Sequence, residues 1–101
     1  MGAFATATGA YSSAVGYNAK ATQSKASAFG VNANASGTSG ATAIGAASTA
    51  SGQAGTAVGT YASALGKFST ALGRSATVAA TGTSGTAVGD RANAAGAYAT
   101  A

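Results

Sequence analysis

Charged residues are the first place to look for chemistry, and the 101-residue chain has only six: Lys20, Lys25, Lys67, Arg74, Asp90 and Arg91. It contains no His and no Cys, and its one acid, Asp90, adjoins Arg91. General acid–base catalysis requires His or paired carboxylates, and metal sites require clusters of His, Cys, Asp or Glu. The composition therefore predicts that the protein is not an enzyme and holds no metal or cofactor.

Anion binding is the other chemistry that these residues could support. The segment Gly66-Lys67-Phe68 lacks the Ser or Thr and the upstream glycine of a phosphate-binding loop. Nucleic acid requires a denser basic stripe with base-stacking groups, so we predict no nucleic-acid partner. The net charge of +4 remains. Four cations are candidates for contact with anionic surfaces, although scattered cations also simply keep a protein soluble: Lys25, Lys67, Arg74 and Arg91.

A repeat carries these residues, and it is visible in residues 56–73, TAVGTYASALGKFSTALG. Glycine recurs about every seven residues, with Gln23 in one vacant site; the glycines of this repeat are at 2, 9, 16, 30, 37, 45, 52, 59, 66, 73, 82, 89 and 96. Seven-residue periods are typical of coiled coils. Glycine, however, is about 1 kcal/mol less favourable than Ala inside a helix, and the chain has little of the charge that coiled coils carry. We therefore reject a helical interpretation.

The repeat also alternates, which is typical of β-strands. Residues two and four before each glycine are almost all Ala, Ser or Gly, and they would share one face of a strand. Residues one and three before the glycine would lie on the other face, and the two residues after it would turn the chain. Each heptad is therefore predicted to form half a coil of a narrow β-solenoid, with its small residues inside.

The outward residue before each glycine shows that two heptads form one coil. It is apolar in alternate heptads, at Val15, Phe29, Ile44, Val58, Leu72 and Val88, and mostly polar in the others, at Thr8, Thr22, Ser36, Ser51, Leu65, Thr81 and Ala95. About seven coils at roughly 4.8 Å each predict a length on the order of 33 Å. One extra residue precedes Gly45 and two precede Gly82. We expect the unusually large Val78 to lie where the second insertion displaces the strand.

The apolar residues of alternate heptads would form a continuous stripe outside the solenoid. Exposed apolar stripes mark interfaces, and the chain offers no second apolar surface that could cover this one. An interior of Ala and Ser also stabilises weakly, at below about 1 kcal/mol per methyl against roughly 1.5 kcal/mol per residue for ordering the chain. We therefore predict that the stripe is buried by self-association.

The segments YSSAVG (11–16), GATAIG (40–45), AGTAVG (54–59), FSTALG (68–73) and SGTAVG (84–89) resemble the head repeats of trimeric autotransporter adhesins, the YadA-like head. The resemblance covers essentially the whole chain. It implies a left-handed parallel β-roll that forms a homotrimer through its inner sheets, with Val15, Phe29, Ile44, Val58, Leu72 and Val88 at the trimer interface. It also implies exposure at the outer membrane of a Gram-negative bacterium and attachment to host cells or extracellular matrix. Residues 1–101 would be one head domain of a longer fibre, without its neck, stalk and membrane anchor.

The chain departs from the family's best-known repeat, NSVAIG, which has apolar residues at both outward positions. Here the first of these positions is a hydroxyl residue, at Ser13, Ser27, Thr42, Thr56, Thr70 and Thr86, so the predicted interface is more polar. Two other functions stay open. An ice-binding solenoid would use Thr-x-Thr ladders, as at residues 6–8, and a thermal-hysteresis assay would detect it. A structural spacer of a surface or phage fibre would share the fold and bind nothing.

Aromatic residues follow many of the glycine sites, at the predicted turns: Phe4, Tyr11, Tyr17, Tyr61, Phe68 and Tyr98. Tyrosine is common at recognition surfaces. The alternative is that these rings pack over neighbouring turns or between chains and close the edges of the roll.

Overall fold

The computed structural model describes residues 3–101, so the glycine site at residue 2 lies outside the described residues. Short strands form two parallel sheets. Two-residue strands form a seven-stranded sheet: β1 (Thr6–Ala7), β3 (Lys20–Ala21), β5 (Asn34–Ala35), β7 (Thr49–Ala50), β9 (Ser63–Ala64), β11 (Thr77–Val78) and β13 (Asn93–Ala94). Three-residue strands form a six-stranded sheet: β2 (Ser13–Val15), β4 (Ser27–Phe29), β6 (Thr42–Ile44), β8 (Thr56–Val58), β10 (Thr70–Leu72) and β12 (Thr86–Val88).

The chain winds from one sheet to the other as a solenoid of about six coils, one fewer than the seven predicted from the heptads. Each strand pairs in parallel with the equivalent strand of the next coil, as where Ile44 lies opposite Val58 and Thr42 opposite Thr56. The solenoid measures 35 × 23 × 13 Å, which matches the length expected for stacked coils. The all-β parallel solenoid predicted from the heptads is therefore confirmed. Among residues 3–101 there is no helix long and apolar enough to cross a membrane.

Alanine fills the space between the two sheets. Each strand from β2 onward turns one residue inward, which is Ala in every strand but β11, and the alanines of the middle coils, such as Ala43, Ala57 and Ala64, are fully buried. Two inward serines, Ser48 and Ser69, are also buried, and their hydroxyls donate to the carbonyl oxygens of the turn glycines three residues earlier. Because a methyl or a bonded hydroxyl is the largest group in most coils, the sheets can approach closely enough to form a thin roll.

The tight turns explain why glycine recurs. At Gly45 φ is +126°, a conformation that side chains rarely adopt, and an added Cβ would lie 2.7 Å from the carbonyl of Gly59 in the next coil. The residue two positions after each glycine site is left-handed as well and is never glycine, with φ between 52° and 63° across the described turns. That conformation costs an L-residue roughly 1–2 kcal/mol. Every turn therefore stores some backbone strain.

Both insertions lie in turns. The single extra residue falls in turn 37–41, where Ser39 and Gly40 both have positive φ. The two extra residues fall in turn 79–85, after β11 has ended. The sheets on either side keep their register across both insertions.

The expectation for Val78 is wrong. Val78 lies in a regular strand opposite Ala64 and Ala94 and is fully buried. It therefore occupies the inward position that the heptad spacing predicts for Ala80, two residues before Gly82. Ala79 correspondingly takes the outward position that was assigned to Thr81, next to Leu65. The physical reason is that a turn accommodates two extra residues with the loss of few contacts, whereas a displaced strand would lose its ladder hydrogen bonds on both sides.

Candidate binding surfaces

The outer face of the six-stranded sheet carries two straight columns of side chains. The apolar column is the predicted stripe, and the ladder places its members side by side in successive coils: Val15, Phe29, Ile44, Val58, Leu72 and Val88. Four of its members are exposed, from Phe29 at 37% to Val88 at 56%, whereas Val58 and Leu72 are half-buried. The hydroxyl column runs parallel to it: Ser13, Ser27, Thr42, Thr56, Thr70 and Thr86. This face is half apolar and half hydroxyl along its whole length.

The edge next to the apolar column is called the near edge here. It consists of the turns that follow the six-stranded sheet: 16–19, 30–33, 45–48, 59–62, 73–76 and 89–92. At one end it extends the apolar surface, since Tyr17 and Val31 are 52% and 50% exposed. Phe4 packs edge-on against Tyr17, with ring centroids 5.6 Å apart. The near edge is thus continuous with the apolar column.

Polar side chains connect successive coils along the near edge. The Nδ2 amide of Asn18 donates to Oδ1 of Asn32 at 2.8 Å. Arg74 donates through Nε and Nη2 to the two carboxylate oxygens of Asp90, at 2.8 and 3.1 Å. This hydrogen bonding lowers the pKa of Asp90 and raises the pKa of Arg74. Since both side chains are more than half exposed, the pair stabilises the fold only slightly.

The opposite edge is called the far edge. It consists of the turns that follow the seven-stranded sheet: 9–12, 23–26, 37–41, 52–55, 66–69, 79–85 and 96–99. Tyr11 is 89% exposed, Tyr98 77% and Phe68 56%. Lys25 and Lys67 lie on the same edge and are exposed. Within residues 3–101 neither lysine forms an ion pair, and no carboxylate side chain lies in these turns.

The structure divides the predicted surface residues between the two edges. Lys25 and Lys67 lie on the far edge, whereas Arg74 and Arg91 lie on the near edge, so the four cations do not form one patch. The predicted aromatics divide likewise: Tyr17 and Tyr61 lie on the near edge, Phe4 packs against Tyr17, and the other three lie on the far edge. The Asn18–Asn32 and Arg74–Asp90 hydrogen bonds were not predicted from the sequence, although their separations of 14 and 16 residues match one coil and one coil plus its insertion.

Comparison with known proteins agrees with this geometry. The family model "YadA head domain repeat" matches residues 1–19, 21–48, 39–62, 50–76 and 80–101. The chain therefore belongs to the YadA head repeat family. The solved collagen-binding domain of the Yersinia adhesin YadA is similar to it, with a TM-score of 0.90 and 34% identity. That match covers 98% of this chain and 54% of the YadA chain, so this chain spans about half of its relative. No curated protein matches the chain.

Proposed function

We propose that residues 1–101 form a head domain of a trimeric bacterial surface adhesin, which attaches the cell to host cells or extracellular matrix without catalysing a reaction. The observation that carries the proposal is the exposed apolar column, in register along one flat face of a YadA head repeat. In this proposal the domain is part of a longer fibre that is displayed at the outer membrane.

Assembly is the first part of the proposal. Six large apolar side chains on one face would be costly to leave in water, since burial stabilises by about 25 cal/mol per Å² of apolar surface. Three copies that meet along this column would cover it: Val15, Phe29, Ile44, Val58, Leu72 and Val88. The adjoining Thr and Ser hydroxyls would form a more polar part of the same interface. The trimer would carry 3 × 4 = +12 net charges.

Attachment is the second part. With the apolar column covered, the surfaces left for a host ligand are the outer face of the seven-stranded sheet and the exposed turns. Because similar coils repeat along the roll and three copies would be present, weak contacts would combine into avidity. The similar YadA domain is described as collagen-binding, so fibrous matrix proteins belong among the first ligands to be tested.

Sedimentation tests the assembly. At micromolar concentration we expect a species of 3 × 9.2 = 27.6 kDa. The variant Ile44→Ser with Val58→Ser should sediment at lower mass, and Thr49→Ala, on the opposite sheet, is the control and should remain trimeric. A wild-type protein that sediments as a stable monomer would contradict the trimer.

Binding to immobilised matrix proteins and to epithelial cells tests the attachment. The assembled trimer should bind at least one collagen, other matrix protein or cell type on the panel, and the monomeric Ile44→Ser, Val58→Ser variant should bind far less because it loses avidity. If a verified trimer binds nothing on the panel, the domain is a spacer and the receptor site lies elsewhere in the fibre.

A further inference from the structure

We propose that the far edge is a binding surface for a linear acidic polysaccharide. This inference rests on the proposed function, because it takes the apolar column to be covered by trimer contacts. It extends that function by naming the ligand chemistry and the part of the roll that recognises it.

The far edge is the edge that lies away from the apolar column. Each apolar residue of the column is followed directly by a near-edge turn, as Ile44 is by turn 45–48. Each far-edge turn is followed instead by the hydroxyl column, as turn 37–41 is by Thr42. On its other side the far edge adjoins the outward Thr and Ser residues at the ends of the seven-stranded sheet, such as Thr22 and Ser51. The far edge is therefore bordered largely by hydroxyl groups and stays open when the column is covered.

The aromatic residues of this edge are not explained by packing. Tyr11, Phe68 and Tyr98 all occupy the left-handed position of their turns, with φ of 59°, 56° and 59°. Asn or Gly fits that position with less strain, and Tyr11 and Tyr98 are 89% and 77% exposed. Large rings held in a strained conformation and left in water stabilise the fold poorly. They are well suited to ligand contact, because a rigid ring buries much area at low entropic cost and can stack on the C–H face of a sugar.

The charges of the far edge favour an acidic ligand of extended shape. Lys25 and Lys67 are exposed and form no ion pair within residues 3–101, and the acid of this chain, Asp90, lies on the near edge beside Arg74. The two lysines lie three coils apart, which corresponds to about 14 Å along the roll. Each lysine has an aromatic neighbour, Tyr11 in the adjacent coil and Phe68 next in sequence. A single small anion could not reach both clusters, whereas a linear polymer along the edge could.

The Thr and Ser hydroxyls beside the far edge favour an acidic polysaccharide over an acidic peptide. The columns that border the far edge consist mainly of Thr and Ser, which can both donate and accept hydrogen bonds. A sugar chain presents hydroxyls of the same dual character at every residue, together with its carboxylates or sulfates. An acidic peptide would leave most of these hydroxyls unmatched. Both insertions of the chain also lie on this edge, at turns 37–41 and 79–85, so its outline varies while the sheets stay in register.

Two pairs of matched variants test the proposal on the assembled trimer. Lys25→Ser with Lys67→Ser reduces the net charge of the chain from +4 to +2 on the far edge. Lys20→Ser with Arg91→Ser reduces it equally but outside the far edge. Tyr98→Ser and Tyr61→Ser remove exposed rings from equivalent turn positions, the first on the far edge and the second on the near edge.

Binding is measured at moderate salt to immobilised heparin, hyaluronate, neutral dextran and poly-glutamate, after sedimentation has shown that each variant is a trimer. We expect the wild type to bind heparin or hyaluronate and not dextran. The double lysine variant and Tyr98→Ser should each bind at least about tenfold more weakly, which corresponds to the loss of about one charge-assisted or stacking contact. The two matched controls, Lys20→Ser with Arg91→Ser and Tyr61→Ser, change residues outside the far edge and should bind within about twofold of the wild type.

Three outcomes would overturn the proposal. Equal losses from the two double variants would mean that net charge alone drives binding. Poly-glutamate bound as tightly as the polysaccharides would identify an acidic protein segment as the ligand. A trimer that binds matrix proteins or cells but neither acidic polysaccharide would contradict this inference and would still support the proposed adhesive function. A protein that forms no trimer would contradict the proposed function itself.

Discussion

Val78 shows how the narrow interior accommodates one side chain that is larger than Ala or Ser. It is the largest side chain among the fully buried ones of residues 3–101. Two glycines make the room: an added Cβ would lie 2.7 Å from Val78 Cγ1 at Gly82 and 2.8 Å from it at Gly85. At the position equivalent to Gly85 in the preceding coil the chain carries Ser69, which has a Cβ and is buried beside alanines. Val78 and Gly85 therefore fit each other as a pair.

A double-mutant cycle tests this pairing. Gly85→Ala should destabilise the protein by about 1–3 kcal/mol, because its methyl would overlap Val78. The same substitution in a Val78→Ala background should cost less, although the added Cβ would still lie 2.9 Å from the carbonyl oxygen of Gly82. The coupling energy measured by denaturant unfolding should be on the order of 1 kcal/mol. Additive effects of the two changes would show that the methyl group added at residue 85 does not contact Val78.

At the scale of the strand, the alternation of faces determines which substitutions the fold can accept. Ala64 points inward and is fully buried, whereas its neighbour Ser63 points outward and is partly exposed. Leu in place of Ala64 would need room for three more carbons, and the position equivalent to Gly85 in this coil is the buried Ser69 rather than a glycine. Two sheets that touch through methyl groups cannot move apart locally without loss of ladder hydrogen bonds.

We therefore expect Ala64→Leu to prevent folding, and Ala57→Leu to act in the same way on the six-stranded sheet. Ser63→Leu is the control, since it adds the same side chain one residue away on the outer face and should leave the thermal midpoint nearly unchanged. Circular dichroism on heating measures all three. An Ala64→Leu protein that melts within a degree or two of the wild type would contradict the thin-roll packing, because overpacking costs at least about 1 kcal/mol.

The sequence predicts the faces of most strands but not the residue of β11 that points inward. Small and large residues alternate so regularly that the faces, the two-heptad coil and the apolar column all follow from the heptad alone. The inward residue of β11 does not follow, because Ala80 and Val78 both stand an even number of residues before Gly82. Only the pairing of Thr77 with Ser63 and Asn93 selects Val78. The ion pair Arg74–Asp90 depends on the same choice, since the inserted residues separate its partners by 16 positions instead of 14.

For the whole molecule, the repeating register implies that a complete coil can be removed. Deletion of residues 49–62 joins Ser48 to Ser63, which keeps every later strand in its own sheet, as the pairing of Thr49 with Ser63 shows. The shortened chain should fold and form trimers. Because stability in such arrays is a sum of neighbouring contacts, it should lose only about one coil's share.

Deletion of residues 49–55 is the matched control for the coil deletion. It removes half a coil, so β8, β10 and β12 would move to the sheet opposite β2, β4 and β6. The apolar column would then be divided between the two faces, and sedimentation should show loss of the trimer. A trimer that survives the half-coil deletion would mean that the apolar column does not direct assembly.

The matching of equivalent residues in successive coils also determines how the length of the roll can change. A coil boundary can be drawn at any point, because each strand lies against its own near-copy one coil away. The insertion or deletion of one whole coil would therefore leave the cross-section of the roll and the sheet of every later strand unchanged. Chains of this kind would thus differ in length in steps of one coil while they keep every side-chain column intact.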